Sequence, residues 1–305
     1  MTQARWDVVG IGENSLDYVY RLPEYPTPNG SGAKMPIAGQ MLSPGGQVAT
    51  TMCTCAAMGL RTKYVGAFGS DDNGARMRRE LTRRGVDVSD ALVREASNRY
   101  AVILVDEREG ERIVLWHRDP SLTIRPDEIR GDVVSNARAL HLDDVDEEAT
   151  IRAAAMARAA GVTVTSDIDR CTDRTHELMM AVTVPIFAEG VPEALTGESD
   201  IERALRKLRR LHDGWLCVTR GSRGAVLLDG DRLHESPAFQ VNAVDTTGAG
   251  DVFRGAFIVA MLRGDAPADV LRFACAAAAV SSTREGAINS VPTLEDVERV
   301  LATKG

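Results

Sequence analysis

Short apolar runs alternate with amphipathic segments along most of the chain. The apolar runs have the length of strands and cover residues 8–11, 64–67, 139–142, 162–165, 182–187 and 216–219. Helical patterns separate them, at residues 47–58, 75–84, 147–160, 201–211, 251–262 and 268–282. Buried strands that alternate with amphipathic helices are typical of a largely parallel sheet covered on both faces. The pattern therefore predicts an α/β fold.

Two regions interrupt this alternation. Residues 17–22 alternate polar and apolar side chains, and residues 99–105 and 112–117 flank a turn at 107–110 as in a hairpin. Such segments are typical of a small, half-exposed sheet. The chain contains no internal repeat, no low-complexity tract and no linker rich in Pro, Ser or Gly. We therefore predict one domain over residues 1–305 that carries a small additional sheet.

Composition and charge exclude several classes of partner. The 305 residues are 44% hydrophobic and 26% charged, as in a soluble globular protein with a substantial core. The net charge of -8 gives no electrostatic reason to expect nucleic acid or an anionic membrane as a partner. The basic cluster at residues 203–210 fits the solvated face of a helix.

The cysteines and the short apolar runs predict a cytoplasmic protein. The five cysteines are odd in number and lack the spacing of metal ligands, so we expect reduced thiols, most of them buried. Residues 6–11 are too few for the apolar region of a signal peptide, and residues 274–280 are too few to span a bilayer.

Residues 245–251 carry the most specific chemistry, with the sequence Asp-Thr-Thr-Gly-Ala-Gly-Asp ahead of an apolar helical run. The small residues Gly248, Ala249 and Gly250 allow a ligand to approach the backbone, whose N–H groups at a helix start favour an anion. Charge alone would repel Asp251 from a phosphate, so its position predicts a base that takes a proton from an attacking hydroxyl. A tight entry turn with an Asp is the simpler alternative.

The same seven residues resemble the C-terminal signature of the PfkB, or ribokinase-like, family of small-molecule kinases. Residues 45–50 (Gly-Gly-Gln-Val-Ala-Thr) resemble the N-terminal signature of that family, and residues 69–74 fit it as a structural turn and helix cap. The resemblance implies a three-layer α/β/α fold with a mostly parallel central sheet. It also implies a small β lid, formed by about residues 14–42 and 98–120, that covers the substrate.

The resemblance implies a sugar site. Asp17 matches the family's acceptor of hydrogen bonds from sugar hydroxyls, and the paired glycines let a sugar come close. Thr50 stands where the family commonly has Asn, and its hydroxyl has a shorter reach. His117 is expected at the lid edge, facing either substrate or solvent. The full set of predicted substrate residues is Asp17, Lys34, Gly45, Gly46, Thr50 and His117.

A nucleotide site is implied as well. Residues 219–224 (Thr-Arg-Gly-Ser-Arg-Gly) resemble the family's nucleotide-side loop, although the same string suits a hairpin turn, and we expect both. The predicted ATP contacts are Thr219, Gly221, Gly224, Ala278 and Ser282.

Two kinds of metal ion follow from the resemblance. Residues 283–292 resemble a loop that borders the adenine and helps to hold a monovalent cation such as K⁺. The residues aligned with that cation shell are Asp245, Thr247, Ser281, Gly286 and Ser290. Many relatives organise Mg²⁺ with Asn-x-x-Glu, where this chain has Ala188 and Val191. Glu189, between them, is the candidate that would act on Mg²⁺ through water.

Three other signatures fail on their context. A dinucleotide fingerprint after Gly10 and Gly12 would need glycine at position 15, which is Ser15, and a helix where strand-like sequence follows. Residues 117–119 imitate the catalytic loop of protein kinases, but Ile124 stands in place of the metal-binding Asn. The chain has no Walker A sequence.

The predicted function is ATP-dependent phosphorylation of a hydroxyl of a small sugar. Several segments are similar to sulfofructose kinases, but Asp144 and Trp116 stand where those enzymes have Arg and Asn, which indicates a neutral sugar such as a ketose. A nucleoside kinase, a sugar-sensing binding protein and a nicotinamide oxidoreductase remain alternatives. Exposed lid strands predict a homodimer through the lid.

Overall fold

The structure is a computed structural model that describes residues 4–108 and 111–303. Residues 109 and 110 of the predicted hairpin turn lie outside this part. The strands are β1 (Trp6–Ile11), β2 (Ser15–Leu22), β3 (Gly39–Gly45), β4 (Thr62–Val65), β5 (Ala67–Gly69), β6 (Val86–Asp87), β7 (Leu92–Arg94), β8 (Tyr100–Asp106), β9 (Arg112–His117), β10 (Ala137–Leu142), β11 (Thr163–Ile168), β12 (Val184–Ala188), β13 (Leu216–Thr219), β14 (Ala225–Asp229) and β15 (Arg232–Ser236). The helices are α1 (Gln47–Ala57), α2 (Asp72–Arg83), α3 (Gly131–Val134), α4 (Glu147–Ala159), α5 (Thr175–Ala181), α6 (Gly190–Thr196), α7 (Ile201–Arg209), α8 (Ala249–Arg263), α9 (Pro267–Ser282) and α10 (Leu294–Thr303).

A large sheet organises the described residues. Its strand order is β15-β14-β13-β12-β11-β10-β1-β4-β6. The strands from β13 to β6 pair in parallel, and β14 and β15 add an antiparallel edge. One buried cluster joins this sheet to α1, α8 and α9, and a second joins its other face to α4, α5 and α7. The predicted three-layer α/β/α fold with a mostly parallel sheet is confirmed.

The predicted strand at residues 64–67 is two strands. β4 belongs to the large sheet, whereas β5 pairs with β7 in a separate two-stranded sheet. The break falls at Gly66, where an added Cβ would lie 2.0 Å from Tyr64 Oη. The backbone therefore passes against the Tyr64 ring at this residue, and only glycine fits. A continuous apolar run in the sequence concealed this break between the strands.

A second sheet, here called the small sheet, has the order β3-β2-β8-β9. β2 pairs antiparallel with β3 and parallel with β8, and β8 pairs antiparallel with β9. The predicted hairpin is thus present as β8 and β9. β9 is an edge strand, and all six of its residues are exposed.

Two further expectations, for the turn at residues 69–74 and for the cysteines, are confirmed as well. The turn at residues 69–74 caps α2, because the Asp71 side chain accepts a hydrogen bond from Gly74 N at 2.9 Å. All five cysteines are free thiols, and only Cys171 is exposed. In the part of the chain that the structure describes, no helix combines the length and the apolar character needed to cross a membrane.

Candidate active site

The first turn of α8, at residues 248–251, has the geometry of a cradle for an anion and is here called the anion cradle. Gly248 precedes the helix with a φ of 76°, and a Cβ there would lie 2.7 Å from Ala287 Cβ. Both the positive φ and the close approach require glycine. Ala249 N donates to Thr246 O of the entry turn at 3.2 Å, whereas the N–H groups of Gly250 and Asp251 have no intrahelical acceptor. These donors, together with the helix dipole, suit a transferring phosphoryl group.

Asp251 lies in this first turn with a raised proton affinity. Its pKa rises to about 7, chiefly because burial disfavours the charged carboxylate. The Arg254 guanidinium lowers this pKa, whereas the neighbouring carboxylates of Asp169 and Asp17 raise it. Thr51 Oγ1 of α1 donates to Asp251 O at 3.1 Å and ties the turn to the neighbouring helix. A carboxylate with a pKa near neutrality is suited to general-base catalysis.

Arg254, which the sequence analysis missed, supplies the cation below this turn. It is 3% exposed, and its guanidinium pairs with the fully buried Asp167 and, at 3.2 Å, with Asp169. A Cβ at Gly250 would lie 2.7 Å from Arg254 Nη1, so the guanidinium lies directly beneath the anion cradle. The available signal was one Arg in an apolar helical run, three residues after Asp251.

Asp17, which is predicted to bind the sugar, lies close to the cradle. It is buried, and its Oδ1 accepts a hydrogen bond from Ser15 Oγ at 2.5 Å. A Cβ at Gly45 would lie 3.7 Å from Asp17 Oδ2 and 3.3 Å from Ala287 Cβ. Since Ala287 also contacts Gly248, the fold brings both glycine signatures and both carboxylates to one place.

Gly46 and Thr50 are both packed closely against other residues of the protein. Gly46 begins α1 with a φ of 100°, and a Cβ there would lie 2.4 Å from Asn14 Cα. The Thr50 side chain is fully buried, and its hydroxyl has no hydrogen-bond partner among the described residues. Lys34 follows a short 3-10 turn at residues 30–33 and is exposed. Their predicted roles at the substrate stay predictions.

The register of the small sheet separates Trp116 from His117. Asp17 lies opposite Ala101, and Ala101 lies opposite Trp116, so these three side chains share one face. His117 lies opposite Tyr100, with ring centroids 5.5 Å apart, on the other face. The backbone alternation therefore directs His117 away from Asp17. Trp116, which is 64% exposed, is the aromatic residue on the Asp17 side.

A cleft of about 530 Å³ borders the anion cradle. All five predicted nucleotide residues line it: Thr219, Gly221, Gly224, Ala278 and Ser282. Thr246, Ala249 and Gly250 complete its inner end, and its volume lies within the range of small-molecule sites. The lining residues that the sequence analysis missed are Ser222, Ala238, Phe239, Gln240, Val241, Ala243, Phe253, Cys275 and Ala279. Residues 238–243 contain no recognisable sequence signature, so only the fold places them here.

The predicted cation residues form a hydrogen-bonded loop. Asp245 Oδ1 accepts from Thr247 N at 2.9 Å and from Thr247 Oγ1 at 2.7 Å, and Asp245 Oδ2 accepts from Gly286 N at 2.9 Å. Burial raises the pKa of Asp245, but the hydrogen bonds from Gly286 and Thr247 outweigh it, so the pKa lies below its usual value. The hydroxyls of Ser281 and Ser290 donate to backbone carbonyls.

Glu189 forms an ion pair with the loop at residues 219–224, which is predicted to contact the nucleotide. It immediately precedes α6, and its carboxylate pairs with Arg223 of the turn between β13 and β14. Within residues 4–108 and 111–303, no group of three or more His, Cys, Asp or Glu side chains is arranged to hold a metal ion. The protein's own side chains therefore offer no closed metal cage in this part.

Asp144 is buried beneath the loop that follows β11. Its side chain is 2% exposed, and Oδ2 accepts hydrogen bonds from Asp169 N at 2.9 Å and Arg170 N at 3.1 Å. The carboxylate thus orders this loop, and its Oδ1 lies 3.8 Å from Arg170 Nε. Its predicted repulsion of an anionic sugar stays a prediction.

Three arginines on the side of the site where the acceptor is expected to bind, here called the acceptor side, are already paired with carboxylates. Arg99 contacts Glu13 at 2.8 Å, and Arg118 contacts both Glu13 at 3.2 Å and Asp146 at 2.7 Å. Arg254 is the third, with the two aspartates after β11 described above. Each guanidinium therefore has its charge balanced by carboxylates.

The fold and the site together define a small-molecule kinase: a parallel sheet, a nucleotide-sized cleft, a glycine-lined helix start and a carboxylate in its first turn. Comparison with known proteins agrees. The model of the pfkB family carbohydrate kinases matches residues 11–294, and the chain belongs to this family.

Its relatives act on different acceptors. The chain is 30% identical over 298 residues to the ATP-dependent ribose-1-phosphate kinase of Halopiger xanaduensis, covering 97% of this chain and 98% of the relative. It is also 30% identical over 309 residues to the nucleoside kinase of Methanothermobacter thermautotrophicus, covering 98% and 97%. The crystal structure of ribokinase from Thermotoga maritima superposes with a TM-score of 0.85, at 27% identity, over 97% of this chain and 99% of that one.

Proposed function

We propose that this kinase transfers the γ-phosphoryl group of ATP to a hydroxyl of a small sugar with Asp251 as the general base. The carrying observation is the position of Asp251 in the first turn of α8, within the anion cradle and close enough to the buried Asp17 for that carboxylate to raise its pKa. Asp251 takes the proton of the acceptor hydroxyl as its oxygen attacks phosphorus, and the N–H groups at Gly248 to Asp251 stabilise the transferring group.

ATP would occupy the cleft along the Thr219 to Gly224 turn and α9, with its γ-phosphate towards the cradle. Mg²⁺ would supply charge neutralisation on the ATP phosphates. Because Glu189 is paired with Arg223, we infer that the phosphates themselves provide most ligands for that ion, with Glu189 acting through water. The small sheet would serve as a lid that excludes water from the transfer.

We infer that the acceptor is a neutral sugar, with a ketose as one candidate. Asp17, a hydrogen-bond acceptor, suits hydroxyl donors, and the arginines near the acceptor side are already paired with carboxylates. An anionic sugar would have to displace one of these pairs. A nucleoside is the second candidate, because the exposed indole of Trp116 shares the face of Asp17 and suits stacking on a base.

The exposed edge strand β9 supports a partner as well as a lid. Four consecutive exposed side chains, residues 113–116, lie on a strand whose outer edge is unpaired in the described sheet. We propose that a second copy of this chain covers this edge and forms a homodimer. The five free thiols suit a reducing, cytoplasmic location.

The test measures ADP release with ATP and Mg²⁺ across neutral sugars, phosphorylated sugars and nucleosides. We expect the highest kcat/KM with a neutral sugar. Asp251→Asn should lower kcat by about 10²–10⁴-fold and leave binding of an ATP analogue largely unchanged. Asp265→Asn, just beyond the other end of α8, is the matched control and should retain activity. Higher kcat/KM with a phosphorylated sugar, or full activity of Asp251→Asn, would refute the corresponding part of the proposal.

A further inference from the structure

We propose that Arg112 of the small sheet supplies the positive charge that a monovalent cation would supply at the 245–247 segment, so that this protein works without K⁺. The inference rests on the proposed kinase function, but it concerns how the segment beside the anion cradle is neutralised.

The guanidinium of Arg112 contacts three consecutive residues. Nη1 donates to Thr247 Oγ1 at 2.7 Å and lies 3.5 Å from Asp245 Oδ1, and Nη2 donates to Thr246 Oγ1 at 3.3 Å. The hydrogen bonds are consistent, since Thr247 Oγ1 donates its own proton to Asp245 Oδ1 at 2.7 Å and accepts from Arg112. A planar fork of donors suits such a multiple contact.

With the Arg112 guanidinium in place, the predicted cation residues do not fit an additional ion. Asp245 is the acidic residue among them, and both of its oxygens already accept hydrogen bonds, from Thr247 and from Gly286. The guanidinium adds a full positive charge within 3.5 Å of Oδ1. A potassium ion at the same carboxylate would lie beside that charge and would be repelled by it. The donor set therefore matches an arginine better than a second cation.

The position of Arg112 links this charge to the acceptor. The register places Arg112 opposite Val105, and Val105 opposite Arg21, on the face of the small sheet that also carries Asp17. Arg21 contacts Glu285, so the same face meets the body of the protein at a second point. Arg112, the cation that contacts residues 245–247, thus belongs to the same sheet as Asp17, which is predicted to bind the sugar. Its contacts with Thr246 and Thr247 hold the charge beside the start of α8.

The experiment uses the full chain and three variants. Arg112→Ala removes the charge, Arg112→Lys keeps it without the fork, and Arg108→Ala alters an arginine of the same hairpin that pairs with Glu24. Melting temperature and ADP release are measured in KCl, NaCl and choline chloride at equal ionic strength, the former with a non-hydrolysable ATP analogue. A cation that binds the folded state raises the melting temperature without any turnover.

We expect the unmodified protein to show the same melting temperature and rate in all three salts. Arg112→Ala should lose about 10- to 100-fold in rate and regain part of it specifically with K⁺, since removal of the guanidinium frees the carboxylate for an ion. Arg112→Lys should fall between them, and Arg108→Ala should match the unmodified protein. A K⁺-specific rise in the melting temperature of the unmodified protein, or an unchanged rate in Arg112→Ala, would overturn the inference.

The failure of this inference differs from a failure of the proposed function. If no acceptor supports ADP release, the proposed function fails, whereas the comparison of melting temperatures in the three salts still decides whether K⁺ binds. If ADP release occurs and depends on K⁺, the kinase function stands and the role of Arg112 is refuted.

Discussion

Asp251 owes its proton affinity to its immediate neighbours rather than to its residue type. An exposed Asp has a pKa near 3.8, whereas burial in the first turn of α8 raises the pKa to about 7. Arg254 opposes this rise, and it can do so because Asp167 and Asp169 hold its guanidinium in place. The pair of Asp251 and Arg254 thus sets the pH at which Asp251, the proposed base, is deprotonated.

The pH dependence of kcat/KM follows from this pKa. A general base must be deprotonated, so activity should be low on the acidic side, rise through about pH 7 and level off above it. Measurement of kcat/KM between about pH 5 and pH 9 tests this. A profile that is flat through neutrality would show that Asp251 titrates at its ordinary value or is not the base.

Arg254→Met should move that rise to higher pH. The substitution removes the cation that lowers the pKa of Asp251 and leaves Asp169 and Asp17, which raise it. Arg254→Lys keeps a positive charge and should shift the profile less. Circular dichroism must accompany the kinetics, because Asp167 is left buried without its partner. A lower kcat with an unmoved pH profile would indicate a purely structural role.

Helices α1 and α8 carry the two glycine signatures, and their packing fixes the distance between them. A Cβ at Gly255 would lie 2.6 Å from Thr54 Cβ and 2.9 Å from Thr51 O, so the helices touch at a glycine. The hydrogen bond from Thr51 Oγ1 to Asp251 O lies one turn away from this contact. The position of Asp251 therefore depends on a helix contact that leaves no room for a side chain.

Gly255→Ala should force the two helices apart. We expect a loss of about 1–3 kcal/mol in the free energy of unfolding, as for other overpacked sites, together with a lower kcat. Gly190→Ala in α6, where no atom lies within 4 Å of an added Cβ, is the control and should be neutral or slightly stabilising. Denaturant unfolding measures the stability of both variants, and ADP release measures kcat. Equal stability of the two variants would contradict the proposed packing constraint.

The large sheet and the small sheet meet at the site, and the outer edge of the small sheet is unpaired in the described residues. The large sheet and its helices provide the nucleotide cleft and Asp251, while the small sheet provides Asp17 and Arg112. Arg112 of β9 contacts Thr246 and Thr247 ahead of α8, whereas residues 113–116 of the same strand are exposed to solvent. A second copy on this edge would hold the small sheet from outside.

Leu115→Lys should abolish that dimer. Leu115 is 57% exposed and lies on the face of β9 away from Asp17, so the substitution adds charge to the proposed interface without touching the site. Leu211→Lys alters a side chain of similar exposure, 52%, just after α7 and serves as the control. Sedimentation over a range of concentrations should give a dimer for the control and a monomer for Leu115→Lys. A monomeric unmodified protein would refute the dimer.

Local sequence determined much of this architecture. Alternation of apolar runs and amphipathic segments predicted the α/β fold, because periods of 2 and 3.6 residues follow from backbone geometry alone. The residues of the 245–251 segment predicted the anion cradle, since only small residues allow close approach at a helix start. The five predicted nucleotide residues line one cleft, because each lies in a local turn or on a helix face that its own segment defines.

Tertiary structure alone decided the partners of the charged side chains. Arg112 meets Thr247 across 135 residues of sequence, and Arg254 meets Asp169 across 85. The face of His117 and the burial of Asp144 depend on sheet register and on a loop that follows a different strand. An ion pair requires only opposite charge and proximity, which many residues of one sequence could satisfy. Folding selects among them, because burial of the large hydrophobic core fixes which charges come within reach.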